Sequence, residues 1–185
     1  MTNQRDHSAH RTMAAKLETV LLPDAGPLIT LAYADALDLL HKPGWKVALV
    51  DMVLHEVTRN QTPTSQKISA WVARNGLEVI ETRIYGHYMG ATGRGLRKSN
   101  LGELAVQEAM QGFALAAPPQ NAVFLFEDHK IARAGFVLPS GCHKVSTRAF
   151  LIFLEEKGWI ASAAEIERAA VRNGRQFSAL RFPSP

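Results

Sequence analysis

Two stretches of this chain, VLLPD at 20–24 and AVFLFED at 122–128, stay apolar until they end on acids. A strand whose consecutive residues are all apolar is covered on both faces, as in a parallel sheet packed between helices. KVALVD at 46–51 has the same form, LEVIET at 77–82 alternates, and a weaker strand is expected near 143–145. Helical periods separate these runs. Leu28, Leu31, Ala32, Ala36 and Leu39 recur on one helical face within residues 26–40, with Pro27 suited to a first turn. MVLHEVTR reads as a short helix, and residues 65–75 as a helix around Ile68, Trp71 and Val72 that stops at Gly76. NLGELAVQEAMQGFAL, the short HKIARAG, and segments near 147–157 and 162–172 complete the helices. Residues 83–99 hold four glycines with Arg94, Arg97 and Lys98, and read as a mobile basic loop. Strands alternating with helices predict a three-layer α/β/α domain with a central, mostly parallel sheet of about five strands.

With 185 residues, 46% of them hydrophobic, the chain suits one core and has little room for a second. Residues 1–16 lack an apolar period and read as a loose lead-in, residues 17–178 as the domain, and 179–185 as an irregular tail. Cys142 is the single cysteine, which excludes an intrachain disulfide and favours a reducing compartment. The N-terminal residues lack the apolar run of a signal peptide, and the apolar run at 149–154 is too short to span a bilayer. A cytoplasmic protein without a membrane partner is the expectation. The net charge of +4 and pI near 9.4 are compatible with a polyanionic partner but shared by many ordinary proteins.

The acids carry more information. In a parallel sheet, ligands bind beyond the carboxyl ends of the strands, where Asp24 and Asp128 both fall. Glu103 opens the helix before the Asp128 strand, and Glu56 lies about one turn beyond the second strand. Each has an innocent reading. Asp24 and Asp128 could cap helices, Glu103 could pair with Asn100 in a capping box, and Glu56 could be solvated. Together they pose a problem, because two carboxylates about 4 Å apart repel by about 4 kcal/mol at an effective dielectric near 20. A cation between them removes that cost, and all-oxygen donors favour Mg²⁺ or Mn²⁺ over zinc. Other chemistries fit poorly. His55-Glu56 begins like a zinc-protease helix, but the fifth position is Arg59, and the 90–99 loop lacks P-loop spacing because Leu96 and Arg97 separate Gly95 from Lys98. A phospho-acceptor receiver domain also sets acids at strand ends, with Asp51 as its only candidate acceptor.

In order, PDAGPLITLA, VDMVLHEVTR, LGELAVQEA and FEDHKIARAG resemble the four acidic motifs of PIN-domain nucleases, most closely the VapC-like branch. STRAFLIFLEEKGWI and RNGRQFS resemble the end of that branch, so the likeness spans residues 20–178. The resemblance implies a Mg²⁺- or Mn²⁺-dependent endoribonuclease leaving 5′-phosphate and 3′-hydroxyl ends. It matches Asp24, Glu56, Glu103 and Asp128 to the catalytic acids, with Asp24, Glu103 and Asp128 on the metal and Glu56 outer-sphere. Glu127 falls where relatives carry a supporting acid ligand, and Ser146 or Thr147 where a small or hydroxyl residue borders the site. Arg94, Arg97, Lys98, Lys130 and Arg133 are the candidate RNA-phosphate contacts, and Tyr85, Tyr88 and Phe113 the candidate stacking groups. The chain departs from the family in following Asp24 with Ala25-Gly26, where a hydroxyl or Asn is common. The implied partners are RNA, a small antitoxin if the role is that of a toxin, and a second copy in a homodimer. A PIN-like module that binds RNA or protein without cutting is the competing class.

Overall fold

The computed structural model describes residues 18–91, 100–127 and 138–176. The apolar runs become strands β1 (Thr19–Pro23), β2 (Lys46–Val50) and β4 (Asn121–Phe126), each buried at every residue after its first. The short β3 (Glu78–Ile80) and β5 (Cys142–Ser146) are more exposed than the central strands and take the edges. All four pairings are parallel, in the order β3-β2-β1-β4-β5. Central burial and partly exposed edges are what the hydrophobic patterns require. The order differs from the 2-1-3-4-5 of receiver-type folds. Asp51, the acceptor that such a fold would need, is only 9% exposed and is consumed by structure. It accepts hydrogen bonds from the backbone N–H groups of Met52 and Thr82 and from the Thr82 hydroxyl, each at 2.7 Å.

Seven α-helices lie among the described residues. They are α1 (Ala25–Tyr33), α2 (Asp51–Thr58), α3 (Pro63–Asn75), α4 (Arg83–Gly90), α5 (Leu101–Leu115), α6 (Thr147–Glu156) and α7 (Ala163–Arg172). The α3 boundaries follow local chemistry. Thr62 and Ser65 form a reciprocal capping box, Pro63 takes the first turn, and Gly76 ends the helix at φ 56°. Two expectations change. The helix read across residues 26–40 breaks, because Asp35 adopts φ 52° and the Ala36 N–H turns back to the Leu31 carbonyl at 2.8 Å. A short 3₁₀ helix, Leu37–His41, follows. Residues 83–90, read as part of a loop, are helical. Thr82 caps α4 through the Tyr85 N–H, while Glu108 of α5 accepts the N–H groups of Arg83 and Ile84 at 3.2 Å each. Burial pushes the Glu108 carboxyl upward, but the Arg83 side chain and these backbone donors outweigh it and hold the group below its usual range. The predicted helix HKIARAG, the basic part of the 83–99 loop, the lead-in and the tail beyond 176 lie outside the described residues.

On the sheet, α1 packs with α3 and α7, while α5 packs with α4, and α2 touches α1, α3 and α5. Leu21, Leu22, Leu28, Phe124 and Phe150 are among the fully buried side chains between these layers. Among the described residues no helix is long and apolar enough to cross a membrane.

The Asp51 cluster joins the β2–α2 turn to the start of α4. Asp51→Ala strands three donors inside the protein and is expected to lower stability by about 3 kcal/mol, with a smaller loss for Asp51→Asn. Urea unfolding of the two variants beside the wild type measures this.

Candidate active site

After β1 the chain moves outward through β2 and β3, then returns to place β4 on the other side of β1. That reversal makes the carboxyl ends of β1 and β4 the expected crevice. Asp24 follows β1 directly, and its N–H donates to the Leu125 carbonyl of β4 at 2.9 Å. It occupies the N-cap position of α1 in extended backbone geometry, yet its side chain makes no capping hydrogen bond. The helix-capping reading of its carboxylate is therefore not realised.

Because α5 leads into the start of β4, its N-terminus lies at the same carboxyl edge. Asn100, at φ 67°, makes no side-chain cap there, so the Asn100–Glu103 capping box does not form. Instead, Glu56 reaches across from α2 and sets its carboxylate against the Gly102 backbone, whose N–H favours the charged form. A Cβ on residue 102 would stand 2.9 Å from Glu56 Oε2. Glycine thus leaves room for this approach, although it otherwise weakens a helix. The helix N-terminus favours the anion placed there. Burial is the main influence raising the Glu56 carboxyl above a glutamate's usual 4.5. The Gly102 N–H and Arg59 oppose it, and the charge of Glu103 raises it further. Glu56 and Glu103, separated in sequence, thus share one electrostatic neighbourhood.

Glu127, expected as a supporting ligand, contacts Arg175 and Thr30. Its side chain is 9% exposed and ion-paired with Arg175 at 2.5 Å. The Thr30 hydroxyl donates to the carboxylate, 2.8 and 3.0 Å from its two oxygens, while accepting from Arg175 Nε at 2.8 Å. The Glu127 side chain also fills the space beside Gly26, where an added Cβ would lie 2.8 Å from Glu127 Cβ. The departure at Ala25-Gly26 has a steric reason: a larger residue at 26 would displace Glu127. Sequence reasoning missed Thr30 and Arg175, and also Glu167 on α7. The Glu167 carboxyl is raised by burial, opposed by Arg148 and reinforced by Glu127. Glycine inside the first turn of α1 was the one local hint of a close approach.

Ser146 caps α6 by accepting the Ala149 N–H at 3.1 Å, and the buried Thr147 hydroxyl donates to the Phe126 carbonyl at 3.2 Å. These bonds brace the ends of β4 and β5. The Tyr85 and Tyr88 rings gather with His55, whose ring centroid lies 5.5 and 5.3 Å from theirs, and Phe113 packs against the core. Asp128, Lys130, Arg133, Arg94, Arg97 and Lys98 lie outside the described residues. Among the described residues no three acids, histidines or cysteines gather closely enough to hold a metal ion.

No family model matches the chain, and no curated protein does. Among solved structures it is similar to the PIN domain of T. brucei RRP44, with a TM-score of 0.49 and 16% identity, covering 80% of this chain and 88% of that one.

Two outcomes follow from the Glu56–Gly102 contact. Gly102→Ala should displace the carboxylate with little net change in thermal unfolding, because the flexible end of Glu56 can yield and alanine favours the helix by about 1 kcal/mol. In chelator, the raised Glu56 pKa means that the folded state holds a proton the unfolded chain has released. The contribution of Glu56 to stability therefore falls as pH rises from 4.5 through its higher folded value. Glu56→Gln should gain stability relative to the wild type at neutral pH and lose that advantage at pH near 4, below the usual glutamate range; a constant difference across that range contradicts this account.

Proposed function

We propose that this chain is a PIN-type, Mg²⁺- or Mn²⁺-dependent endoribonuclease whose metal is held by Asp24, Glu103 and Asp128. The observation that carries the reading is that Glu56 and Glu103 lie close enough to oppose each other's ionisation at the N-terminus of α5, on the carboxyl edge where Asp24 closes β1 at the sheet's switch point. The donors are all oxygens, which suits a hard divalent cation, and a three-acid shell needs Asp128 in addition to the described residues. When bound, such an ion supplies an activated water and neutralises charge on the phosphoryl oxygens.

The chain's own residues supply the remaining work. Glu56, fixed on the Gly102 N–H, orients the attacking water and accepts its proton at a carboxylate oxygen, a task suited to a carboxyl raised above its ordinary value. Arg94, Arg97 and Lys98, with Lys130 and Arg133, bind flanking phosphates of a single-stranded substrate. Ser146 and Thr147 act by bracing the strand ends. Products carry 5′-phosphate and 3′-hydroxyl ends. If the role is that of a VapC-like toxin, a small antitoxin covers this edge and the enzyme acts as a homodimer. The second reading, a module that binds RNA or a protein without cutting it, is favoured by one observation: the described residues alone form no three-donor cluster.

Purified protein incubated with single-stranded or transfer RNA distinguishes the two. Cleavage should require Mg²⁺ or Mn²⁺, stop with chelator, and fall by about 100-fold or more in folded Asp24→Asn, Glu103→Gln and Asp128→Asn. RNA binding without metal-dependent cleavage supports the second reading, and undiminished cleavage in the variants sinks the site assignment.

A further inference from the structure

Glu127 and Asp128 are consecutive acids at the end of β4, and the proposed site uses only the second. We propose that Arg175 is a positioning residue that keeps Glu127 out of the metal site by neutralising it and holding it over α1. The inference rests on the nuclease reading and deepens it, by naming the group that decides which of two adjacent acids serves the metal.

The geometry is built from three elements distant in sequence. Gly26 and Thr30 stand four apart on one face of α1. Glu127 lies over that face, in the space left by the missing side chain of Gly26, and receives the Thr30 hydroxyl. Arg175 closes the arrangement with Nη2 on the Glu127 carboxylate and Nε on the Thr30 oxygen. That hydroxyl has one proton to donate. With Arg175 supplying a donor to its oxygen, the proton is directed to Glu127. Arg175 is itself held from behind. Its N–H bonds to the Ala170 carbonyl at 2.9 Å, and Asn173 Nδ2 donates to the Tyr33 carbonyl at 2.7 Å, which docks the end of α7 on the end of α1.

A buried carboxylate is tolerated when it is paired and hydrogen-bonded. If the arginine is removed, Glu127 becomes an uncompensated charge one residue from Asp128. A cation held at this edge is then the nearest compensation, and the two adjacent acids compete for it. Arg175 prevents that competition through Glu127 and needs no contact with substrate. The same reasoning gives Glu127 no ligand role of its own, so neutralising it should do little harm.

The test compares full-length wild type, Glu127→Gln, Arg175→Met, Arg175→Lys and the Arg175→Met/Glu127→Gln double variant. Mn²⁺ binding is read by calorimetry, unfolding in chelator by temperature, and RNA cleavage at saturating substrate. Glu127→Gln should bind Mn²⁺ and cleave within about threefold of wild type, whereas folded Arg175→Met should lose about 10-fold or more in kcat with little change in KM. The double variant should recover both the unfolding temperature in chelator and most of the activity. Arg175→Lys keeps the charge and should remain near wild type, which preserves the test if Arg175→Met does not fold. A roughly tenfold loss of Mn²⁺ affinity in Glu127→Gln would mean that Glu127 is a ligand, and overturns the inference. A folded double variant as impaired as Arg175→Met overturns it too, because the arginine would then be only an anchor. Asp24→Asn, run alongside, separates the two levels: intact Mn²⁺ binding and cleavage in that variant is failure of the nuclease reading itself.

Discussion

The parallel pairing of β1 with β4 is the constraint on which the other features depend. Residues Thr19–Pro23 run beside Asn121–Leu125 in continuous register, and one further backbone bond carries the pairing to Asp24. Because this pair is central and buried on both faces, its register cannot slip without turning apolar side chains toward the wrong layer. The acid after β1 and Glu127 after β4 therefore arrive at one edge together. The chain reversal between β3 and β4 brings the N-terminus of α5 to that edge, and with it Glu103.

A cluster of acids in a protein interior must be managed charge by charge, and here the devices differ. Asp51 is satisfied by three donors from the turns around it. Glu108 is set against the first N–H groups of α4 and the Arg83 side chain. Glu127 is paired with Arg175 through a shared threonine. Glu56 rests on the N-terminus of α5 with its carboxyl raised. The first three are ordinary solutions to burial and leave the carboxylate committed. Glu56 differs in keeping a second acid, Glu103, within electrostatic reach. That is a costly arrangement unless something positive is to be held there.

Much of this was legible in the sequence wherever the determining physics is local. Unbroken apolar runs identified the central strands, and Gly76 marked the end of α3, whose start at Pro63 lies two residues before the residue 65 expected. The position of Asp24 at the close of β1 followed from the same patterns. What was not legible depends on contacts between distant residues. Near residue 83 the local signal for a helix is slight, Thr82 at the N-cap, because the rest of the cap comes from Glu108. The helix expected through residue 40 ends at Tyr33, and the chain then turns at Asp35, whose carboxylate pairs with Lys67 of α3. The pairing of Glu127 could not be read locally because its partner, Arg175, lies 48 residues away. The acid motifs were thus readable as positions, while the commitments of individual acids were not.

The two glycines beside the acids join these levels. Gly26 and Gly102 each occupy a first helical turn, where an alanine would be the better helix former by about 1 kcal/mol. Each instead leaves room for a glutamate from another element, Glu127 in one case and Glu56 in the other. In both pairs, a small local loss of helix stability accompanies a carboxylate drawn close to backbone. The consequences diverge because of what else is present. Beside Gly26 an arginine and a threonine complete the environment, and the acid becomes part of the scaffold. Beside Gly102 the backbone N–H and Arg59 favour the charged form while burial and the charge of Glu103 oppose it, so the acid is held near backbone under opposing influences. An acid oriented but left with its charge is what proton transfer or metal attachment requires, and the glycine before Glu103 is the residue that makes that orientation possible.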